Sequence, residues 1–188
     1  PSYWENNLFS NHYVWSNSFT QEDETRFEVS LNVPSIALEV SAWQGVISNK
    51  IYYDAQSMVA QSSDAISLTS LYARKDFRLG GFHFDHRVLL QWSTNQEVIP
   101  VPLCSAFLSY YYECWVERNK VLRLQLGVDG RFNTSYYAPS YNPALATFYN
   151  QREYEIGNYP YLDVFLTAKW KRMRIFLKYQ HVNYNQIG

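Results

Sequence analysis

No stretch of this chain comes near the ~20 consecutive apolar residues that a membrane-spanning helix needs. Cysteine is scarce as well: Cys104 and Cys114 are the only two, ten residues apart on what reads as one strand. Continuous strand would hold them roughly 33 Å apart, and a disulfide tolerates about 7 Å between Cα atoms. They cannot pair within that strand, and both read as small apolar side chains, buried or facing lipid. An excess of charge is missing too. The 16 Lys and Arg nearly balance the 17 Asp and Glu, for a formal net charge of −1. Composition therefore offers no polyanion-binding surface, and no nucleic-acid partner is expected. No Gly-x-Ser-x-Gly elbow and no glycine-rich phosphate loop occurs, so the chain reads as a non-enzyme with no cofactor.

Pro1 is not followed by the basic and apolar segments of a signal peptide, and Gly188 comes directly after a strand with no closing partner. A piece of a longer protein, internal or C-terminal, is the expectation.

What the chain has in quantity is aromatic residues and alternation. Tyr, Phe and Trp number 17, 11 and 6, or 18% of the chain. Side chains with an apolar body and a polar tip suit protein interfaces and membrane–water boundaries. Period-two patterning predicts strands over 25–33, 36–53, 65–77, 82–94, 103–116, 121–137, 162–170 and 174–184. Phe27, Val29, Leu31 and Val33 oppose Arg26, Glu28, Ser30 and Asn32. Leu122, Leu124, Leu126 and Val128 oppose Arg123, Gln125, Gly127 and Asp129 in the same way.

Tight turns at 34–35, 78–81, 117–120 and 171–173 alternate with long connections at 54–64, 95–102 and 138–161. Several strands exceed the ~9–11 residues of a tilted transmembrane strand, whereas soluble strands centre on about 5–6. Long antiparallel strands, short turns at one end and long loops at the other form the layout of an outer-membrane barrel. The fold class expected is all-β, an antiparallel transmembrane β-barrel, with about eight strands of a larger up-and-down barrel over 25–188. Residues 1–24 read as a loop or the end of a preceding strand.

The charged row opposite the aliphatic one supplies the candidate lumen residues: Arg26, Glu28, Glu39, Arg74, Asp85, Arg87, Arg123, Asp129, Arg131 and Lys178. Facing lipid near the midplane, Arg or Lys would cost about 2–4 kcal/mol each; facing water they cost little and shape solute preference. Both signs are present, so no strong ion selectivity follows. Opposite charges on neighbouring strands can also simply pair across the wall. Aromatics at the strand ends predict two girdles. Phe77, Phe82, Trp115 and Trp170 belong to the turn side, and Tyr52, Tyr53, Trp92, Tyr136, Tyr137, Tyr161 and Tyr184 to the loop side. His83 and Asp85 share a face, but two ligands without a third favour polar strand residues over a metal site, and no metal is expected. The cations from Lys169 to Arg174 read as a solvated hairpin.

Near the end of the chain the words themselves become characteristic. Tyr136-Tyr137-Ala138-Pro139-Ser140-Tyr141-Asn142-Pro143 is followed by Phe148-Tyr149-Asn150-Gln151 and Ile156-Gly157-Asn158-Tyr159-Pro160-Tyr161, then by Ala168-Lys169-Trp170-Lys171-Arg172-Met173-Arg174. This resembles the C-terminal part of the putative porin family of Bacteroidota outer membranes. The likeness is dense over about the last fifty residues and looser before them. It implies a bacterial outer-membrane location and a large single-chain barrel, and brings no catalytic residues. The family's final strand with an aromatic C-terminus is absent here. Three functions are compatible: a passive or selective diffusion channel; a structural or accessory barrel of a larger envelope complex with a plugged lumen; and a soluble lipocalin-like barrel with an apolar ligand inside. The expected partners are outer-membrane lipid and, for the second reading, an envelope complex, with 138–161 as the candidate constriction.

Overall fold

The computed structural model describes residues 1–116 and 120–184. A one-turn helix, α1 (Tyr3–Asn6), leads to the strands β1 (Asn7–Phe9), β2 (Val14–Ser16), β3 (Asp23–Val33), β4 (Leu38–Ser48), β5 (Ile51–Tyr53) and β6 (Val59–Gln61). The chain continues through β7 (Ile66–Leu79), β8 (Phe82–Ser93), β9 (Cys104–Trp115), β10 (Leu122–Asn133), β11 (Ser140–Asn142), β12 (Thr147–Tyr149), β13 (Tyr161–Trp170) and β14 (Met173–Tyr179). Eight of these form one sheet in the order β14-β13-β10-β9-β8-β7-β4-β3, with every neighbouring pair antiparallel. The fold is all-β, and among the described residues the sheet stays open, with β3 and β14 as its edges.

Tight reversals join consecutive strands at one end. Pro34–Ile36 forms a 3-10 turn closed by Ala37 at φ 47°, and Gly80 (φ 59°) and Lys171 (φ 53°) supply left-handed residues at the next two described reversals. Such residues let the turn follow the twist of the flanking strands. The turn expected at 117–120 lies outside the described residues except for Lys120. The reversal expected at 78–81 is shorter, because the ladder continues to Leu79↔Phe82.

The strand expected over 36–53 is interrupted. Asn49 adopts φ 57° and ends β4 at Ser48, so Ile51–Tyr53 leaves the sheet to pair with β6. The strand expected to reach 137 stops at Asn133, and the one expected to reach 184 stops at Tyr179.

Three small hairpins lie outside this sheet: β1-β2 before β3, β5-β6 between β4 and β7, and β11-β12 between β10 and β13. These hairpins pack together. Trp15, Ile51 and Val59 are buried at their centre, with Leu8, Tyr13, Phe19, Tyr53, Met58 and Leu145 against them. Asn142 Nδ2 donates to Tyr13 Oη (2.8 Å), the Asn150 amide to the Tyr53 carbonyl (2.8 Å), and Lys50 Nζ to Glu22 (2.9 Å). Residues 1–24, expected as a loop or the end of a preceding strand, lie mostly in this packed loop layer, while Asp23 and Glu24 belong to β3.

The sheet itself has two unlike faces. Directly paired residues share a face, so the register carries Phe27, Val29 and Leu31 across to Ala42 and Val40, Leu71 and Ala73, Leu90 and Val88, and Ala106. It continues through Phe132 and the row Leu122, Leu124, Leu126 and Val128 to Leu166, Ala168, Leu177 and Ile175. This face is uncovered: Phe27 is 70% exposed and Leu177 61%. Cys104 and Cys114 lie on it, both as free thiols. Eight strands ~4.8 Å apart and about 11 residues long span on the order of 1,400 Å². The largest apolar patch of a typical soluble monomer is about 300–600 Å². Lys75 and His86 are neighbouring polar exceptions near the turn end; Lys75 bonds the Ile36 carbonyl and His86 the Tyr110 hydroxyl.

Gly127 shows how tightly the other face is built. A Cβ there would stand 2.5 Å from Tyr111 Cβ and 2.6 Å from the Phe165 ring, whereas at Gly130 the nearest neighbour is 3.5 Å away. Gly127→Ala is expected to cost about 1–3 kcal/mol by overpacking, and Gly130→Ala to stay within about 0.5 kcal/mol. Urea unfolding midpoints of the refolded full-length protein measure both, and equal shifts would refute the close approach.

Candidate functional site: the charged face

The opposite face is layered in rows of like character. Across the middle of the sheet the register aligns Asp76↔Asp85↔Ser109↔Asp129↔Asp163 over five strands, from near the turn end of β7 to near the loop end of β13. One step toward the loops lie Arg74↔Arg87↔Phe107↔Arg131. One step toward the turns lie Arg78↔His83↔Tyr111↔Gly127↔Phe165↔Lys178.

Like charges directly opposite one another destabilise a sheet, and here cations from the adjoining rows intervene. Arg74 and Arg87 both donate to Asp85 Oδ2, at 3.0 and 2.7 Å. Lys178 Nζ bridges the facing carboxylates, 2.8 Å from Asp129 and 3.0 Å from Asp163. Arg131 Nη2 (3.0 Å) and the His181 amide (2.9 Å) complete the shell of Asp163. Ser109 Oγ donates to Asp129 at 2.7 Å, and Arg78 pairs with Asp76 at 3.2 Å. The short carboxylates lie low in the wall, with the Asp163 side chain 7% exposed. The arginine ends stand above them, Arg131 at 53%.

One cleft of about 460 Å³ on this face is lined from Arg74 and Arg78 on β7 across to Phe176 on β14. A flat sheet would place those strands roughly 24 Å apart, five steps of ~4.8 Å. The cleft thus runs along the charged face over six neighbouring strands. A lipocalin-like barrel needs an apolar interior, whereas the side of the sheet that carries this cleft is charged.

All ten residues picked from the sequence as one charged row lie on this face. Arg74, Asp85, Arg87, Asp129, Arg131 and Lys178 form the central cluster. Arg123 lies nearer the turns, paired with Glu113. Glu39 stands opposite Arg74, and Arg26 pairs with Glu28 at 2.9 Å beneath Trp43. Sequence reasoning missed Asp76, Arg78, Glu113 and Asp163. Arg78 reads from the sequence as part of a turn, and the run Tyr110-Tyr111-Tyr112 conceals the alternation that would place Glu113. His83 stacks on Tyr111, ring centroids 4.5 Å apart. Among the described residues no group of three or more His, Cys, Asp or Glu is placed to hold a metal ion.

The aromatic girdles need correction. Phe77, Phe82, Trp92 and Trp170 lie on the apolar face, joined by Phe84, Tyr110 and Tyr112. Trp115 and Tyr161 lie on the charged face, opposite Arg123 and Arg131. Tyr53 packs on Trp15 in the loop layer, where burial pushes its phenol up, with the Glu5 charge adding to the effect. Tyr52 and Tyr137 line clefts beside Glu97 and Arg152, whose hydrogen bond holds the Glu97 carboxyl below its usual range. Tyr136 bridges to Ile156, and Tyr184 packs on His181. These five belong to the loops because the strands end sooner than the alternation implies.

A family model described as putative porin matches residues 1–187. None of the curated proteins and none of the solved structures compared matches the chain.

Lys178 carries the heaviest electrostatic task in this wall. Lys178→Met leaves Asp129 and Asp163 facing each other without their common cation. Losing one partner of a buried charge cluster costs about 3–5 kcal/mol, and the lower figure is expected because Lys178 keeps some solvent contact (18%). Urea unfolding measures the loss, and adding Asp129→Asn should recover part of it. A Lys178→Met protein as stable as the parent would contradict the bridging role.

Proposed function

Because the chain belongs to the putative porin family, we propose that it forms part of the wall of an outer-membrane β-barrel through which small solutes diffuse. The observation that carries this reading is the segregation of the two faces: an uncovered apolar surface on one side and paired charges lining a cleft on the other. Hydrocarbon then covers the first and water fills the second. Strands of about 11 residues tilted by ~40° rise roughly 28 Å, enough for an apolar band of ~25 Å. In this orientation the tight turns face the periplasm and the packed loop layer faces outward. Backbone groups in lipid must all be paired, so the edges of β3 and β14 meet further strands, and the eight described here are one arc of a wider barrel.

The central charges largely neutralise one another, so a weakly selective pore is expected along this part of the wall. A second reading, an accessory barrel of an envelope complex closed at one end, draws support from the loop layer. Its buried Trp15 core makes it an ordered layer rather than a fringe of free loops. Full-length protein in planar bilayers distinguishes the two: stepwise ion currents are expected of the pore. Absence of current, with the folded barrel verified by heat-modifiable gel mobility, would overturn diffusion and favour the accessory role.

A further inference from the structure

The central rows resolve every like-charge confrontation described above by inserting an opposite charge, but one row near the turns does not. There the register aligns Trp115↔Arg123↔Lys169↔Arg174 over four adjacent strands, so Lys169 stands directly between two arginines. Like charges in directly opposite positions repel. Glu113 pairs with Arg123 and also accepts from Gln125 Nε2 at 2.6 Å. Among the described residues neither Lys169 nor Arg174 has an ion-pair partner, and Arg123 Nε is buried without a hydrogen bond. Arg123, Gln125, Thr167, Lys169 and Arg174 together line a cleft of about 210 Å³.

We propose that this cleft binds an oxyanion, specifically a phosphate or phosphoester group. Two exposed cations, a third held by Glu113, and the Thr167 hydroxyl offer donors from adjoining strands. Charge-assisted bonds from guanidinium and ammonium to phosphate are the strong class. The bound anion would supply the negative charge that the row lacks, as Asp85 does between Arg74 and Arg87. Glu113 keeps Arg123 oriented, and Trp115 packs beneath that guanidinium, 5.7 Å from the ring centroid. The site deepens the channel reading, on which it rests for an aqueous charged face, by giving the turn-side mouth a preference that the central wall lacks.

Calorimetric titration of pyrophosphate into the full-length protein, folded in an uncharged maltoside detergent, tests binding without any current. Saturable binding is expected, weakened at least about tenfold by Lys169→Gln with Arg174→Gln, because two charge-assisted donors are lost. Lys169→Arg, which keeps the charge, should bind nearly as the parent does. Should the double variant fail to fold, Lys169→Gln alone against Lys169→Arg makes the same comparison. No binding by the parent, or equal binding by the charge-removing variants, overturns the site. Repeating the titration in phosphatidylcholine vesicles with and without phosphatidylglycerol separates the sources. Loss of pyrophosphate binding with the anionic lipid assigns the site to a headgroup, and unchanged binding assigns it to a free solute. Both outcomes uphold the phosphate chemistry. A protein that binds pyrophosphate yet passes no current keeps the site and overturns only the channel; one that conducts without binding does the reverse.

Discussion

An eight-stranded sheet whose aliphatic face is uncovered among the described residues is at rest only against an apolar partner, and in the function proposed above that partner is lipid. Everything else in this structure follows from how that demand is met. Phe27, Leu126 and Leu177 are more exposed than half of their surface, and no second layer of helix or sheet lies over them among the described residues. In water, a face on the order of 1,400 Å² by strand dimensions would drive aggregation. Against hydrocarbon the same face is at rest, and in the proposed barrel the polar face then turns inward.

That inward placement accords with the charge layering. A sheet face crowded with Asp and Arg is stable only if its charges are mutually satisfied. The register achieves this by stacking a carboxylate row between two rows that carry cations. Asp163, almost fully buried, is held by Lys178, Arg131 and a backbone amide. The hydrophobic core of an ordinary kind has moved elsewhere, into the loop layer around Trp15, Ile51 and Val59. Two environments thus divide the chain: strands stabilised by ladder hydrogen bonds and lateral ion pairs, loops stabilised by burial.

Much of the sheet was legible because strict alternation leaves little freedom. Once Leu122, Leu124 and Leu126 share a face, Arg123, Asp129 and Arg131 must share the other. Alternation failed where neighbours are all of one kind. The triplet of tyrosines on β9 has no visible parity, which is why Trp115 was placed at the lipid boundary and Glu113 was overlooked. Strand ends were misread where one residue breaks the ladder without breaking the pattern, as Asn49 does at the end of β4. The loop layer was illegible for a different reason. Its contacts, such as Asn142 with Tyr13, join residues far apart in sequence, and no local period announces them.

The claim that the aliphatic face meets lipid is open to a direct measurement. With Cys104 and Cys114 replaced by Ala, single cysteines at Leu126 and at its neighbour Gln125 would carry spin labels in the full-length protein in phosphatidylcholine vesicles. Collision rates with oxygen, which concentrates in hydrocarbon, and with a water-soluble nickel chelate report each label's surroundings. The expected result is a reversal between adjacent positions: oxygen dominates at 126 and the chelate at 125. Chelate access at both positions, or oxygen dominance at 125 alone, would contradict the membrane orientation of the sheet.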